Sequence, residues 1–301
     1  MRALGTPGAV LVTGACGHVG REVCRALRAD AEVVALDLRA DASRGVLACD
    51  LRVPEQIAGI FRRYSISVVI HLAALLPTAF LADPVQGAEV NLIGSSYLLR
   101  EAVRHGVQRL VFASSMSVYG SAARDRPLNE GDAAVPDHPY GACKRAIETV
   151  GETLARNGAL QFVSLRIARV VGPGANSTSS PWRSQIFEPS STLISLPFAP
   201  EALLSLVHAE DVARMLITLA QAGEVHETVY NSPAEIWQAK QLQETVQELT
   251  GARVELAPTA AQPGPTSDGS RFTRDFQFQT VGLAARLAAV GRGAGAARNR
   301  K

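Results

Sequence analysis

Lysine is nearly absent from this sequence. Lys144, Lys240 and Lys301 stand against 27 arginines, so a position that keeps lysine has a reason to avoid a guanidinium. Cysteine is scarce as well. Cys16, Cys24, Cys49 and Cys143 show neither a C-x-x-C nor any metal-ligand spacing, which argues against a metal site and for a reduced, cytoplasmic setting. Charge of one sign is lacking too: the formal net charge is +2 over 301 residues, without the concentrated basic face of a nucleic-acid binder. No apolar run is long enough to span a membrane, and the N-terminal one is too short and too glycine-rich for a signal peptide. There is no internal repeat. With 47% hydrophobic residues, the chain can bury a large core, as one big domain or as a domain with a smaller lobe.

What is present is alternation. The runs at 9–14, 31–37, 67–74, 109–115 and 162–172 are β-branched and almost continuously apolar, as strands covered on both faces are. Helical patterns at 18–29, 54–63, 84–105 and 139–157 lie between them. This order predicts an α/β fold, a Rossmann-type doubly wound parallel sheet with right-handed crossovers. The last third is mixed, with amphipathic helices from "HAEDVARMLITLAQAG" and "QAKQLQETVQELTG" and a strand in "TVYNSP". The expected division is a dinucleotide-binding domain over 1–172, to which strands return from the C-terminal part, and a smaller C-terminal substrate-binding lobe over 173–290. The Gly/Ala/Arg-rich tail, 291–301, is non-periodic and reads as frayed.

The first strand runs into "TGACGHVGREVCRAL". Gly14, Gly17 and Gly20 are spaced for a tight turn, a close approach of backbone to a pyrophosphate, and helix–strand packing, in that order. The helix that follows offers its N-terminal N–H groups to the anion. Asp37 closes the second strand, where a carboxylate accepts from ribose hydroxyls and repels the 2′-phosphate of NADP. The expected cofactor is therefore NAD, with Arg39 close by leaving NADP open. Asp50, after the third strand, reads either as a local cap or as a contact to the adenine edge.

Tyr140 and Lys144 share a helical face in "HPYGACKRAIE". A phenol with a pKa of about 10 is a poor base at neutral pH. A nearby ammonium and the positive charge of an oxidised nicotinamide favour phenolate, and a shift of three units is worth roughly 4 kcal/mol. Tyr140 then takes a proton from a substrate hydroxyl as hydride leaves, and Lys144 also has donors for the nicotinamide ribose. Ser114, Ser115 and Ser117 sit at the C-terminal end of the fifth strand, where open α/β sheets bind ligands. Arg169 and Arg183 could pair with a substrate carboxylate or phosphate.

These pieces, with "HLAA", "DPVQGAEVNLIGSSYLLREA", "FASSMSVYG", "LRIARVVGPG", "VHAEDVA" and "SDGSRFTRDFQF" in order along the chain, resemble the extended short-chain dehydrogenases/reductases of the NAD-dependent epimerase/dehydratase group. The resemblance implies Ser115, Tyr140 and Lys144 as catalytic residues, with Asn91 supporting a proton relay. It implies a cofactor set of Gly14, Gly17, His18, Val19, Gly20, Asp37, Asp50, Leu51, Leu72, Ala73 and Ala74 together with Tyr140 and Lys144. Its substrate contacts fall on Ser115, Ser117, Arg169, Asn176, Arg183 and Arg271. It further implies a carbohydrate-type substrate and a homodimer paired through the helices at 84–105 and 139–157.

The sequence also departs from the group. Met116 and Ser117 replace the acidic pair with which dehydratases expel water. Arg169 stands where sugar-nucleotide 4-epimerases carry asparagine, and Val171 where they carry tyrosine. Three readings remain: an epimerase working through a transient keto intermediate on a sugar or nucleoside-diphosphate sugar; a net dehydrogenase/reductase of a sugar acid, hydroxy acid or polyol; and a non-catalytic NAD-binding regulator.

Overall fold

Residues 8–175, 180–188, 193–257 and 262–298 are described by a computed structural model, the side chains of 293–298 excepted. The apolar runs become strands: β1 (Ala9–Thr13), β2 (Val33–Asp37), β3 (Val46–Ala48), β4 (Ile66–His71), β5 (Arg109–Ser115) and β6 (Gln161–Ile167). They are followed by β7 (Arg169–Val171), β8 (Ile194–Leu196), β9 (Leu203–His208), β10 (Val229–Asn231), β11 (Glu235–Gln238) and β12 (Val254–Leu256). The main sheet has the order β10-β6-β5-β4-β1-β2-β3, and the pairings from β3 across to β6 are parallel. The order reverses between β1 and β4, the switch point at which such sheets open a crevice at their C-terminal edge.

The helices of this part are α1 (His18–Leu27), α2 (Pro54–Arg63), α3 (Pro77–Ala82), α4 (Pro84–Ala88), α5 (Ser95–Arg104) and α6 (Pro139–Arg156). Leu11, Leu36, Val69, Leu110 and Phe162 of the sheet pack with Ile57 and Phe61 of α2, Leu98 and Ala102 of α5 and Ile147 of α6. The single helix expected over 84–105 is interrupted by a π-helical stretch, Glu89–Gly94. Such π stretches are frequent at functional sites, and this one carries Asn91.

The chain forms two units that interleave along the sequence. The first is Met1–Gly120, Ala133–Ile167 and Val212–Tyr230; the second is Ser121–Asp132, Ala168–Asp211 and Asn231–Lys301. The strand expected over 162–172 is thereby cut in two at Ala168, whose N–H is taken by Ser232 Oγ at 2.9 Å. In the second unit α7 (Trp182–Gln185), α9 (Ala239–Thr250), α10 (Ser270–Phe276) and α11 (Leu283–Arg298) accompany a β11-β9-β7 sheet and a β12-β8 pair, while α8 (Ala209–Gln221) runs from the second unit into the first. Trp182, Phe198, Leu204, Leu242, Val246 and Leu287 lie in its core.

Within the first unit, Arg109 of β5 is buried and donates from Nη1 to the carbonyls of Leu219 (2.7 Å) and Ala222 (2.6 Å). A cation thus closes the C-terminal end of α8, where the helix dipole favours one. The tail expected to fray instead continues α11 to Arg298. Alanine and arginine are strong helix formers. Gly291 supplies the fit, since a Cβ there would come within 2.0 Å of the Leu249 carbonyl oxygen on α9.

Candidate functional site

The site is built at the C-terminal ends of β1, β2, β4 and β5. After β1 the chain turns at Gly14 with φ +71°, a left-handed conformation that favours glycine. A Cβ there would stand 2.7 Å from the Ala73 nitrogen, and one on Gly20 would stand 2.1 Å from the Gly14 carbonyl oxygen. The loop is therefore pressed onto the stretch after β4 on one side and onto its own helix on the other. Gly17 precedes α1 without any side-chain cap, so the first turn, with His18, Val19 and Gly20, presents backbone N–H groups to an anion.

Asp37 braces the loop. Its Oδ2 accepts from the Cys16 N–H at 2.9 Å and its Oδ1 from the Leu38 N–H at 2.8 Å. Each oxygen keeps a lone pair suited to a ribose hydroxyl. The uncapped turn, the glycine cradle and this carboxylate fit a dinucleotide. Asp50 is engaged locally: its carboxylate takes Arg52 Nη2 at 2.7 Å and the Arg52 N–H at 2.9 Å, while the N-cap of α2 is Val53. Leu51 is buried beneath Gly94.

Leu72, Ala73 and Ala74 follow β4, half-buried. Thr13 Oγ1 accepts from the N–H groups of both Leu72 and Ala73 at 3.2 Å and is bonded to His71 Nδ1 at 2.7 Å. His71 Nε2 meets Ser95 Oγ at 2.9 Å. Burial, with Lys144 adding to it, lowers the histidine to about 3, so it is a neutral, satisfied core residue. Asn91 clamps the next residue along: its Oδ1 accepts from Leu75 N–H at 2.7 Å and its Nδ2 donates to Leu75 O at 2.8 Å. Both ends of its amide are committed to shaping this edge.

Tyr140 lies in the first turn of α6 and is buried, its hydroxyl hydrogen-bonded to the Ser115 side chain. Phe80 meets its ring edge-on at 6.2 Å, and His138 stacks on it at 6.2 Å. His138 is also the N-cap of α6, its Nδ1 accepting from the Gly141 N–H at 3.2 Å. Ser115 Oγ accepts from the Ser117 N–H at 3.1 Å. The expected ammonium effect on the phenol is absent. Burial pushes Tyr140 up to about 12, and only the Ser115 hydrogen bond works the other way. Lys144 directs its Nζ to the Ala113 carbonyl at 2.7 Å, 4.6 Å from the Phe112 ring centre and 5.8 Å from that of Tyr140. Burial lowers this lysine to about 8, with Glu148 opposing. The cation is thus spent holding the end of β5, and the phenol is protonated at neutral pH until further positive charge arrives.

Two residues that the motifs did not single out make this arrangement possible. Gly141 follows the tyrosine, and a Cβ there would lie 2.4 Å from the Ser117 carbonyl oxygen; only glycine lets α6 approach the serine turn so closely. Its signal was in plain sight, within "PYGACK". Glu148, one turn after Lys144, is fully buried and accepts from Ser114 Oγ at 2.6 Å.

In the second unit Arg169 begins β7 and Arg183 lies in α7. Arg271, on α10, pairs with Glu130 at 3.4 Å. Asn176 lies outside the described residues. Trp182 packs edge-on against Phe198 in the core of this unit. Among the described residues no group of histidines, cysteines and acids is placed to hold a metal, and no helix is long and apolar enough to cross a membrane.

A doubly wound parallel sheet with a glycine-loop cradle and an acid closing β2 defines a dinucleotide-binding protein of the Rossmann type. The model of the NAD dependent epimerase/dehydratase family matches residues 10–231. The chain belongs to that family and so to the extended short-chain dehydrogenases/reductases, and the family's cofactor is NAD by its own description. It is 33% identical over 176 residues to UDP-glucose 4-epimerase of Halalkalibacterium halodurans, covering 56% of this chain and 52% of that protein. The chain spans about half the length of the curated relatives it matches. Among solved structures, Thermus thermophilus UDP-glucose 4-epimerase in complex with NAD gives a TM-score of 0.80 at 25% identity, over 95% of this chain and 99% of that one. L-Threonine 3-dehydrogenase from Trypanosoma brucei shares the fold, with a TM-score of 0.85 at 20% identity over 95% and 96% of the two chains.

Proposed function

We propose that this chain is an NAD-dependent oxidoreductase or epimerase acting on a secondary hydroxyl of a sugar or nucleoside-diphosphate sugar through a transient keto intermediate. The observation that carries the reading is the buried Tyr140 phenol bonded to Ser115, with Lys144 one turn further along the same helix. NAD, when bound, supplies the hydride acceptor and, in its oxidised form, the positive charge that this site otherwise lacks.

Gly14, Gly17 and Gly20 with the first turn of α1 would hold its pyrophosphate, and Asp37 its adenosine ribose. Tyr140 Oη takes the proton of the substrate hydroxyl as the C–H bond gives up its hydride, and returns the proton when hydride comes back. Ser115 Oγ holds the substrate oxygen beside it. Lys144 keeps Ala113, and with it the end of β5, in register with the tyrosine. A wet path is limited by Phe80, Leu75 and Leu92, which pack around Tyr140.

UDP-glucose/UDP-galactose interconversion followed by NMR, with absorbance of reduced cofactor recorded in parallel, tests the reading. Tyr140→Phe should cost about 10²–10⁴-fold in kcat, far more than any change it makes in NAD affinity. Turnover unaffected by that change overturns the proposal, and accumulation of reduced cofactor without isomerisation selects a net dehydrogenase. Protection of the Cys16 thiol from alkylation by NAD reads cofactor binding separately.

A homodimer and a reduced cytoplasmic setting belong to the same reading. The first is supported by exposed Val85, Ile93 and Val150 on the two long helical stretches, the second by four free cysteines. Sedimentation of the wild type against Val150→Glu tests the dimer.

A further inference from the structure

The helix that carries the tyrosine and the lysine starts on a histidine. Asparagine, aspartate, serine and threonine are the side chains that cap helices well, and histidine is not among them. His138 caps α6 nevertheless, its Nδ1 accepting from the Gly141 N–H at 3.2 Å. Pro139, at the first helical position, keeps the residue before it extended, and His138 has that backbone. A ring nitrogen that accepts from a main-chain N–H carries no proton. The capping imidazole is therefore the neutral ring with its proton on Nε2, and the cap bond fixes how its plane lies.

That plane faces Tyr140. The two rings stand 6.2 Å apart at an interplanar angle of 20°, within the range of offset-stacked pairs. Residues two apart do not face each other along a helix, and it is the extended backbone of His138 that brings its ring around. Phe80 meets the phenol edge-on, at 6.2 Å and 84°, and Cys143, Leu75 and Leu92 pack in the same cluster. His138 is half-buried and Tyr140 is 6% exposed. All of these residues lie in the first unit. Serine at 138 would make the cap and bring no ring; phenylalanine would bring the ring and no acceptor. Histidine supplies both. A hydroxyl bond to Ser115 holds only the far end of the phenol, whereas ring contacts fix its plane.

We propose that His138 is a positioning residue for the acid/base: its cap bond sets the imidazole over one face of Tyr140, and the imidazole holds the phenol in the plane from which Oη reaches the substrate oxygen. This rests on the reading that Tyr140 moves the proton. Stability then follows the cap, and turnover follows the ring. A residue that only started the helix would tie both to the cap.

The test separates the two in the full-length, NAD-loaded protein. His138→Ser keeps a capping oxygen and should melt within about 2 °C of the wild type. Its kcat for UDP-glucose/UDP-galactose interconversion should nonetheless fall about tenfold or more, with a smaller change in KM. His138→Phe should do the reverse, melting lower than the serine variant and losing less of kcat. His138→Asn, a second capping residue, serves if the serine variant does not fold. NMR of protein carrying ring-labelled tyrosine reads the position without turnover, the Tyr140 signal being the one that Tyr140→Phe removes. That signal should be single and sharp in the wild type and split or broadened in His138→Ser. A serine variant that turns over like the wild type overturns the proposal. So does one whose Tyr140 signal stays single and sharp, and this arm decides alone if the wild type converts no UDP-sugar. Turnover undiminished in Tyr140→Phe sinks the proposed function instead, and the NMR arm still reads whether His138 holds the ring.

Discussion

Arg166 closes a two-pronged ion pair on Glu148, Nη2 to Oε2 at 2.8 Å and Nε to Oε1 at 3.0 Å, wholly inside the first unit. Ser114 Oγ and Arg145 Nη1 also donate to this carboxylate, at 2.6 and 3.1 Å, and Arg166 reaches on to the Tyr119 hydroxyl at 2.7 Å. One acid thus joins β5, β6, α6 and the turn after Ser115, directly behind the tyrosine and lysine. Glu148→Leu leaves Arg166 buried and unpaired, and should cost roughly 3–5 kcal/mol. Adding Arg166→Met should recover most of it. Urea unfolding of the single and double variants checks both.

Gly141→Ala is expected to damage activity more than stability. The added methyl meets the Ser117 carbonyl and pushes the start of α6 away from the serine turn. A displacement of about 1 Å at a reacting group costs on the order of 10²-fold. kcat should fall by about that much with a smaller rise in the KM for NAD, since the glycine loop lies on other elements while Tyr140 and Lys144 move with α6. Steady-state kinetics with both substrates varied separates the two.

His71 gives the fold an acid limit. Its folded value of about 3 lies below the ordinary 6.5, so below pH 6.5 the unfolded chain takes up a proton that the folded chain refuses. Stability should therefore fall as pH drops through the window from 6.5 toward 3. His71→Gln should flatten that part of the curve and leave the slope above pH 7 unchanged. Chemical unfolding at half-unit pH intervals reads the difference.

The C-terminal helix should be sensitive at the glycine inside it and tolerant at the one just before it. Gly291→Ala drives a methyl into the Leu249 carbonyl and should cost about 1–3 kcal/mol. Gly282→Ala, where a Cβ would meet nothing within 4 Å, should melt within about 1 °C of the wild type. Thermal unfolding of the two variants checks the pair.

These cases also mark what the amino-acid order disclosed. The strands β1, β2, β4 and β5 were legible because burial on both faces demands unbroken apolar runs, and the glycine loop because its spacing serves one geometry. The break between β6 and β7 was not: "FVSLRIARVVG" has no proline or internal glycine to end a strand, and the Ser232 hydroxyl that takes the Ala168 N–H comes from 64 residues away. The glycines of the tail looked like disorder because the partner that makes Gly291 useful is Leu249, on another helix. Helical periodicity put Tyr140 and Lys144 on one face of a helix, and both stand on α6 with the ammonium 5.8 Å from the ring centre. The electrostatics of the pair were not legible, since whether an ammonium or dehydration dominates a phenol depends on how deep the phenol lies and where the ammonium points.

The interleaving of the first unit has a consequence for how the protein is made. Its sheet ends in β10 and Arg109 caps α8, yet both partners arrive only after residue 208. A ribosome that has released the glycine loop, the tyrosine and the lysine has still not released the edge strand they depend on. The nascent chain must therefore wait, exposed along β6, through roughly sixty further residues of synthesis. A fragment stopped near residue 172 would carry every recognisable motif of the nucleotide half and should aggregate.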